Sequence, residues 1–226
     1  MSFFALVNAI VFIAILVFFP SMPVKERQSY GAQLSVLKKP MIWLSIVAVI
    51  SLNSAVFGVY SYLAEYLRTV TNISGKSISF MLVVFGGANI IGNIVAGKLL
   101  TKNAIKSVVS FPFALGIVYI ILFLLGQFTV PMAIITFVWG VLAGIGSNIN
   151  QFWISSAAPE APDFANGLFL SSVNLGTTIG TAVGGLVISG LGIQYVVLVG
   201  VLSLVLSMSF IMLRKNMYTS PKQLSK

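Results

Sequence analysis

The chain has no cysteine and no histidine among its 226 residues, and only four carboxylates: Glu26, Glu65, Glu160 and Asp163. Without thiols there are no disulfides and no thiolate metal sites. Without imidazole there is no histidine-ligated metal or haem, and no nucleophile–histidine catalytic pair. An enzyme would have almost no acid–base groups to work with, so no catalytic residue, cofactor or metal is expected. Charge of any kind is scarce, at 8% of residues, against roughly a quarter in soluble globular domains. That deficit excludes a soluble core. What the chain does have is apolar surface: 58% hydrophobic residues and a mean hydropathy of +1.04.

A bilayer core about 30 Å thick takes about 20 apolar residues in helical form. Against that length the sequence predicts seven spans, at roughly 3–19, 41–65, 78–98, 107–126, 131–154, 165–189 and 193–213. The opening stretch, MSFFALVNAIVFIAILVFFPSMP, has no basic residue before its apolar run and no small-x-small site after it. A signal peptide is therefore disfavoured, and no soluble domain follows for it to anchor. One span of a bundle remains. No linker is long enough for a separate domain; the longest runs from Pro20 to Pro40.

The excess of +9 could suggest nucleic acid, but the basic residues lie in short clusters between apolar runs. Lys25, Arg27, Lys38, Lys39, Lys98, Lys102, Lys106, Arg214, Lys215, Lys222 and Lys226 fall on one side of the seven-span reading; Arg68 and Lys76 fall on the other. The positive-inside rule then predicts a cytoplasmic C-terminus in the plasma membrane and no nucleic-acid partner. Glu160 and Asp163 on the cytoplasmic side do not change this, because acidic residues contribute little to the bias.

The sequence also suggests an internal repeat. Ile91 to Gly97 (IGNIVAG) reads against Ile179 to Gly185 (IGTAVGG) at an offset of 88 residues. The same shift lays span 2 on span 5 and span 4 on span 7. The expected fold class is an all-α polytopic membrane protein, arranged as 1 + 3 + 3 with an inverted three-helix repeat, the organisation of many secondary carriers. Recurrence of small residues for packing alone is the competing explanation.

Span 6 reads ANGLFLSSVNLGTTIGTAVGGLVISG, with Ser172, Gly176, Gly180 and Gly184 on one stripe; Gly86, Asn89, Asn93 and Gly97 make a similar stripe on span 3. Both are expected to be helix-packing faces. Asn53 and Tyr60 share a face of span 2, and Trp139 and Asn150 a face of span 5. Polar groups in lipid turn toward partners or a wet cavity, so these four are candidate substrate-binding residues, with interhelical hydrogen bonding as the alternative. Glu65 is the carboxylate nearest a span and a candidate proton carrier if buried. It lies 24 residues past Met41, about 36 Å of helix, which favours a mouth position paired with Arg68.

At these residues the chain resembles the C-terminal half of a major facilitator superfamily transporter of the drug and sugar (arabinose-type) efflux branch. Ala158 to Ile188 (APEAPDFANGLFLSSVNLGTTIGTAVGGLVI) is similar to that branch's entry into its eleventh helix. YLAEYL (Tyr62 to Leu67) resembles the end of the seventh, with Glu65 where relatives often have the proline that would kink it. GKLLTKNAIK resembles the superfamily's basic loop: Gly97, Lys102 and Lys106 fit, while Thr101 replaces the acid and Ala104 a glycine, so a gating ion pair through that acid is not implied.

The resemblance implies domains at 1–20 (the last helix of an N-terminal half), 21–40 (cytoplasmic linker), 41–214 (a six-helix bundle) and 215–226 (cytoplasmic tail). It implies a proton-coupled, alternating-access carrier for a small organic solute, of which this is a fragment; helices 1 to 5 and the lipid bilayer would be its partners. A complete seven-span receptor, scaffold or small carrier is the alternative.

Overall fold

The structure, a computed structural model, describes residues 2–18 and 30–218. Those residues form helices and turns, with no strand among them. In chain order the α-helices are α1 (Ser2–Phe18), α2 (Tyr30–Leu34), α3 (Pro40–Tyr60), α4 (Leu63–Thr69), α5 (Gly75–Leu125), α6 (Thr129–Ser155), α7 (Pro162–Leu191) and α8 (Val197–Tyr218); short 3-10 turns precede α3 and α8. By length and composition, five of the helical runs can cross a membrane, and α1 is a shorter apolar helix.

Local chemistry accounts for most of the boundaries. Pro40 and Pro162 open α3 and α7 at a position where a missing N–H costs nothing. Ser74 caps α5 by accepting from the Ser77 amide. Gly192, at φ +102°, ends α7 in a conformation that side chains disfavour.

One boundary differs from the sequence reading. The segment expected as one span over 41–65 breaks into α3 and α4 through a turn at Ser61 and Tyr62, without a proline. Spans 3 and 4 are both present, as the two arms of α5 on either side of the connection expected between them; its 51 residues would reach about 77 Å if straight. That is more than twice the hydrocarbon core. The run is broken at Asn103 (φ −162°, ψ 88°), whose side chain accepts from the Lys106 amide and so caps the second arm. The linker expected over 21–40 contains α2 and a 3-10 turn at Ser35–Lys38; its residues 21–29 lie outside those described, as do residues 219–226 of the tail.

The bundle is held by α3 against α7 and α8, and by α5 against α6 and α8. The α3–α7 seam is built on the span 6 stripe. A Cβ added at Gly176, Gly180 or Gly184 would lie 2.5–2.7 Å from the carbonyl oxygens of Ile50, Ser54 and Gly58. The two backbones are in contact, and Ser54 donates to the Gly176 carbonyl at 2.8 Å. The span 3 stripe does not behave as expected. Gly86 and Gly97 face open space, whereas Gly92 makes the close approach, to the backbone of Val141 and Gly144 on α6. The packing face of this arm is Phe85, Ala88, Gly92 and Ala96, a different side of the same helix. Apart from half-buried Ala14, the side chains of 5–18 on α1 are exposed, and α1 packs extensively on no other described element.

Candidate functional site

A cavity of about 520 Å³ lies among α3, the first arm of α5, α6 and α7. Asn53, Phe57 and Tyr60 line it from α3; Phe85, Gly86, Asn89 and Asn93 from α5. Ser147 and Asn150 come from α6, and Phe169, Asn174 and Thr177 from α7. Among the described residues no charged side chain lines it. The walls supply amides, hydroxyls and aromatic faces, which suits an uncharged solute with both polar and apolar surface.

Three of the four predicted binding residues meet here. Asn53 is tied across the α3–α7 seam, its Nδ2 donating to Val173 O (2.5 Å) and Thr177 Oγ1 (2.8 Å). Tyr60 stacks on Phe85 with ring centroids 4.5 Å apart, forming one wall. Asn150 is 2% exposed, and its Oδ1 has no hydrogen-bond partner among the described residues. A buried acceptor left unpaired costs about 1–3 kcal/mol.

The fourth, Trp139, does not line the cavity. It is fully buried and meets Phe85, Tyr119 and Tyr60 edge-on, at 5.5, 5.7 and 6.1 Å, so it backs the wall. Tyr119 fixes this cluster to α3 by donating to Ala55 O at 2.6 Å. Asn89 and Asn93, expected as packing residues, belong to the cavity instead. Asn93 donates to Asn89 Oδ1 (3.2 Å) and accepts from Asn148 Nδ2 (2.6 Å), which joins α5 to α6. Their four-residue spacing indicated a shared face but not which neighbour that face would meet.

Glu65 is exposed on α4, where Oε1 accepts from Thr69 at 3.1 Å. The expected ion pair with Arg68 is not formed. The ion pair among the described residues is Lys39–Glu160, at 2.5 Å. The Lys39 ammonium holds the Glu160 carboxyl below its ordinary range.

Sequence reasoning missed Arg214, taking it as the end of the bundle and one more tail cation. It is 5% exposed. Nη1 donates to Ser45 Oγ (2.9 Å) and the Trp153 carbonyl, Nη2 donates to Ser156 Oγ (2.8 Å), and the guanidinium lies 3.7 Å over the Trp153 ring. It thereby pins α8 to α3 and to the end of α6.

A family model described as Major Facilitator Superfamily matches residues 1–162. Among curated relatives, the probable sugar efflux transporter of Pasteurella multocida is 27% identical over 209 residues, covering 91% of this chain and 52% of that protein. The inner membrane transport protein YdhP of Escherichia coli K12 is 29% identical over 221 residues, 96% of this chain and 57% of its own. The transcription regulatory protein OpdE of Pseudomonas aeruginosa is 27% identical over 161 residues, 71% and 40% respectively. The chain thus spans about half the length of the curated relatives it matches. With the match to the family model over most of its length, and apolar helices that make it a multi-pass membrane protein, the chain belongs to the Major Facilitator Superfamily.

Proposed function

We propose that this chain forms the C-terminal half of a proton-coupled, alternating-access carrier that exports a small neutral organic solute, with α1 as the last helix of the N-terminal half. The observation that carries the reading is Asn150: a buried amide whose oxygen lacks a donor, in an uncharged cavity walled by four helices. With the amide turned toward the cavity that Asn150 lines, a solute hydroxyl would supply that donor, and Phe57, Tyr60 and Phe85 would cover the apolar face of a sugar-like ring. The names of the sugar efflux relatives are consistent with such a solute.

With α5 counted as two crossings that meet at Asn103, and α1 as one, the chain crosses seven times. The glycine contacts support the inverted repeat. Gly92 and Gly180 are 88 residues apart, and each packs on the first helix of the other three-helix unit: Gly92 on α6, Gly180 on α3. Among the described residues no carboxylate lines the cavity, and by the family resemblance the coupling groups would lie on helices 1 to 5. Trp139 acts as a positioning residue, holding Tyr60 and Phe85 in the wall.

Orientation in the plasma membrane follows the basic residues, with the C-terminus cytoplasmic. Lys76 and Lys102 are both exposed, near opposite ends of the first arm of α5. A cysteine at Lys102 should react with an impermeant thiol reagent from the cytoplasmic side alone, and one at Lys76 from the outer side alone. Labelling of both from one side would refute the topology.

The function is tested in proteoliposomes. The 226-residue chain alone is expected to move no labelled sugar and to dissipate no proton gradient. A rocking mechanism needs a second bundle. Adding helices 1 to 5 as a second polypeptide should restore gradient-driven transport, and Asn150→Ala should then reduce it roughly tenfold, the scale of one lost buried hydrogen bond. Gradient-driven uptake by the chain alone would instead establish a complete small carrier.

A further inference from the structure

A second cavity, of about 660 Å³, lies at the end of the bundle where α3 begins. Lys38, Lys39, Trp153, Ser156, Glu160 and Arg214 line it, so three cations meet one carboxylate. Lys39 already takes that carboxylate, at 2.5 Å. Arg214 is the unusual member. It is buried, its three hydrogen bonds all go to neutral oxygens, and among the described residues it forms no ion pair. A guanidinium taken out of water without a counter-charge is costly, and the cost falls sharply when an anion pairs with it. Nη1 is fully engaged by Ser45 and Trp153, which leaves the remaining N–H of Nη2 and that of Nε, one edge of the planar fork, to meet phosphate oxygens.

The depth of the cavity narrows the choice of anion. Trp43, on the first turn of α3, is 53% exposed, and its indole N–H donates to Leu37 O at 2.8 Å. Exposed tryptophan with a satisfied N–H is characteristic of the membrane–water interface. Lys38 and Lys39 lie immediately before that turn, at the level where headgroup phosphates sit.

We propose that this cavity binds a phosphate-bearing anion, with Lys38 and Arg214 as the recognising cations and an anionic phospholipid headgroup as the principal source. Glu160 is the opposing charge in the wall, and Lys39 neutralises it. The site is separate from the solute cavity: no residue lines both.

The test uses the purified chain in detergent, titrated with phosphatidylglycerol or phosphatidylcholine and read by native mass spectrometry. A parallel arm measures the melting temperature in inorganic phosphate against chloride at equal ionic strength. Lys38→Gln is the main variant, since Lys38 is exposed, at the end of the 3-10 turn before α3. The control is Lys102→Gln with Lys106→Gln, at the α5 break; Ile105 from that break also lines the cavity, so the control removes charge at the same membrane level. Phosphatidylglycerol should be retained over phosphatidylcholine, and Lys38→Gln should weaken that retention about fivefold, the effect of one lysine near a phosphate. The double control should change it less. Stabilisation by inorganic phosphate that is lost in Lys38→Gln, without a lipid preference, would support the phosphate site with a soluble source. An equal or larger loss in the control would reduce the effect to general surface charge and overturn the proposal. Absence of both lipid preference and phosphate stabilisation would overturn it too.

Discussion

Gly180→Leu is expected to leave almost no folded, detergent-extractable chain, while Gly97→Leu is expected to be tolerated. Both are glycines on small-residue stripes, and the sequence treats them alike. Their surroundings differ. A Cβ at Gly180 would lie 2.5 Å from Ser54 O and 2.8 Å from Ser54 Cα, and these are backbone atoms that no rotamer change can move. A Cβ at Gly97 would meet nothing within 4 Å. Leucine at 180 must therefore push α7 off α3 and break the Ser54–Gly176 and Asn53–Val173 hydrogen bonds along the seam. Overpacking typically costs about 1–3 kcal/mol, and parting a backbone seam belongs above that range. Leucine at 97 gains helix propensity and meets no obstruction instead. Expression and melting temperature in detergent decide the matter, with Leu186→Ala as the exposed reference. Equal stability for Gly180→Leu and Gly97→Leu would refute the close seam.

Arg214→Glu should be the most damaging charge substitution in the described chain. The present guanidinium donates to three oxygens at one point where α3, α6 and α8 meet. A carboxylate there would face the Trp153 carbonyl as acceptor against acceptor and would lie over the ring in place of a cation. The Glu variant loses all three donated hydrogen bonds and leaves the Trp153 carbonyl orphaned in a buried position, for a loss of roughly 4 kcal/mol or more. Arg214→Lys, keeping the charge but not the fork, should fall between it and the parent. Lys215→Glu, one residue on and less buried, should cost about 0.5 kcal/mol or less. Melting temperatures that rank the three in any other order would show that Arg214 does not pin these helices.

The helices themselves were legible in the sequence. Apolar run length is a local property, and the requirement that a chain in lipid satisfy its own backbone leaves few alternatives to a helix. The predicted runs over 131–154 and 165–189 fall within α6 (Thr129–Ser155) and α7 (Pro162–Leu191) for that reason. Breaks were less legible. The turn at Ser61 and Tyr62 has no proline to announce it, whereas the break at Asn103 falls in the lysine-bearing connection that the apolar runs left between spans 3 and 4.

The candidate site was legible in part, and the division follows the physics. Asn53, Tyr60 and Asn150 could be named from sequence because amides and phenols in lipid must turn toward partners or water. Trp139 could not be told apart from them. A large ring at the right spacing lines a cavity or backs its wall depending on a rotation of the helix, and only packing against Phe85 and Tyr119 sets that rotation.

Composition and hydropathy alone determined that the chain is helical, polytopic and built for lipid, because those properties depend on what each segment carries. Tertiary structure alone decided which stripe closes a seam, Gly176–Gly184 rather than Gly86–Gly97, and that Arg214 turns inward rather than out into the tail. Whether a face meets backbone, cavity or lipid is a relation between two helices distant in sequence, such as Gly180 and Ser54, and neither helix specifies it by itself.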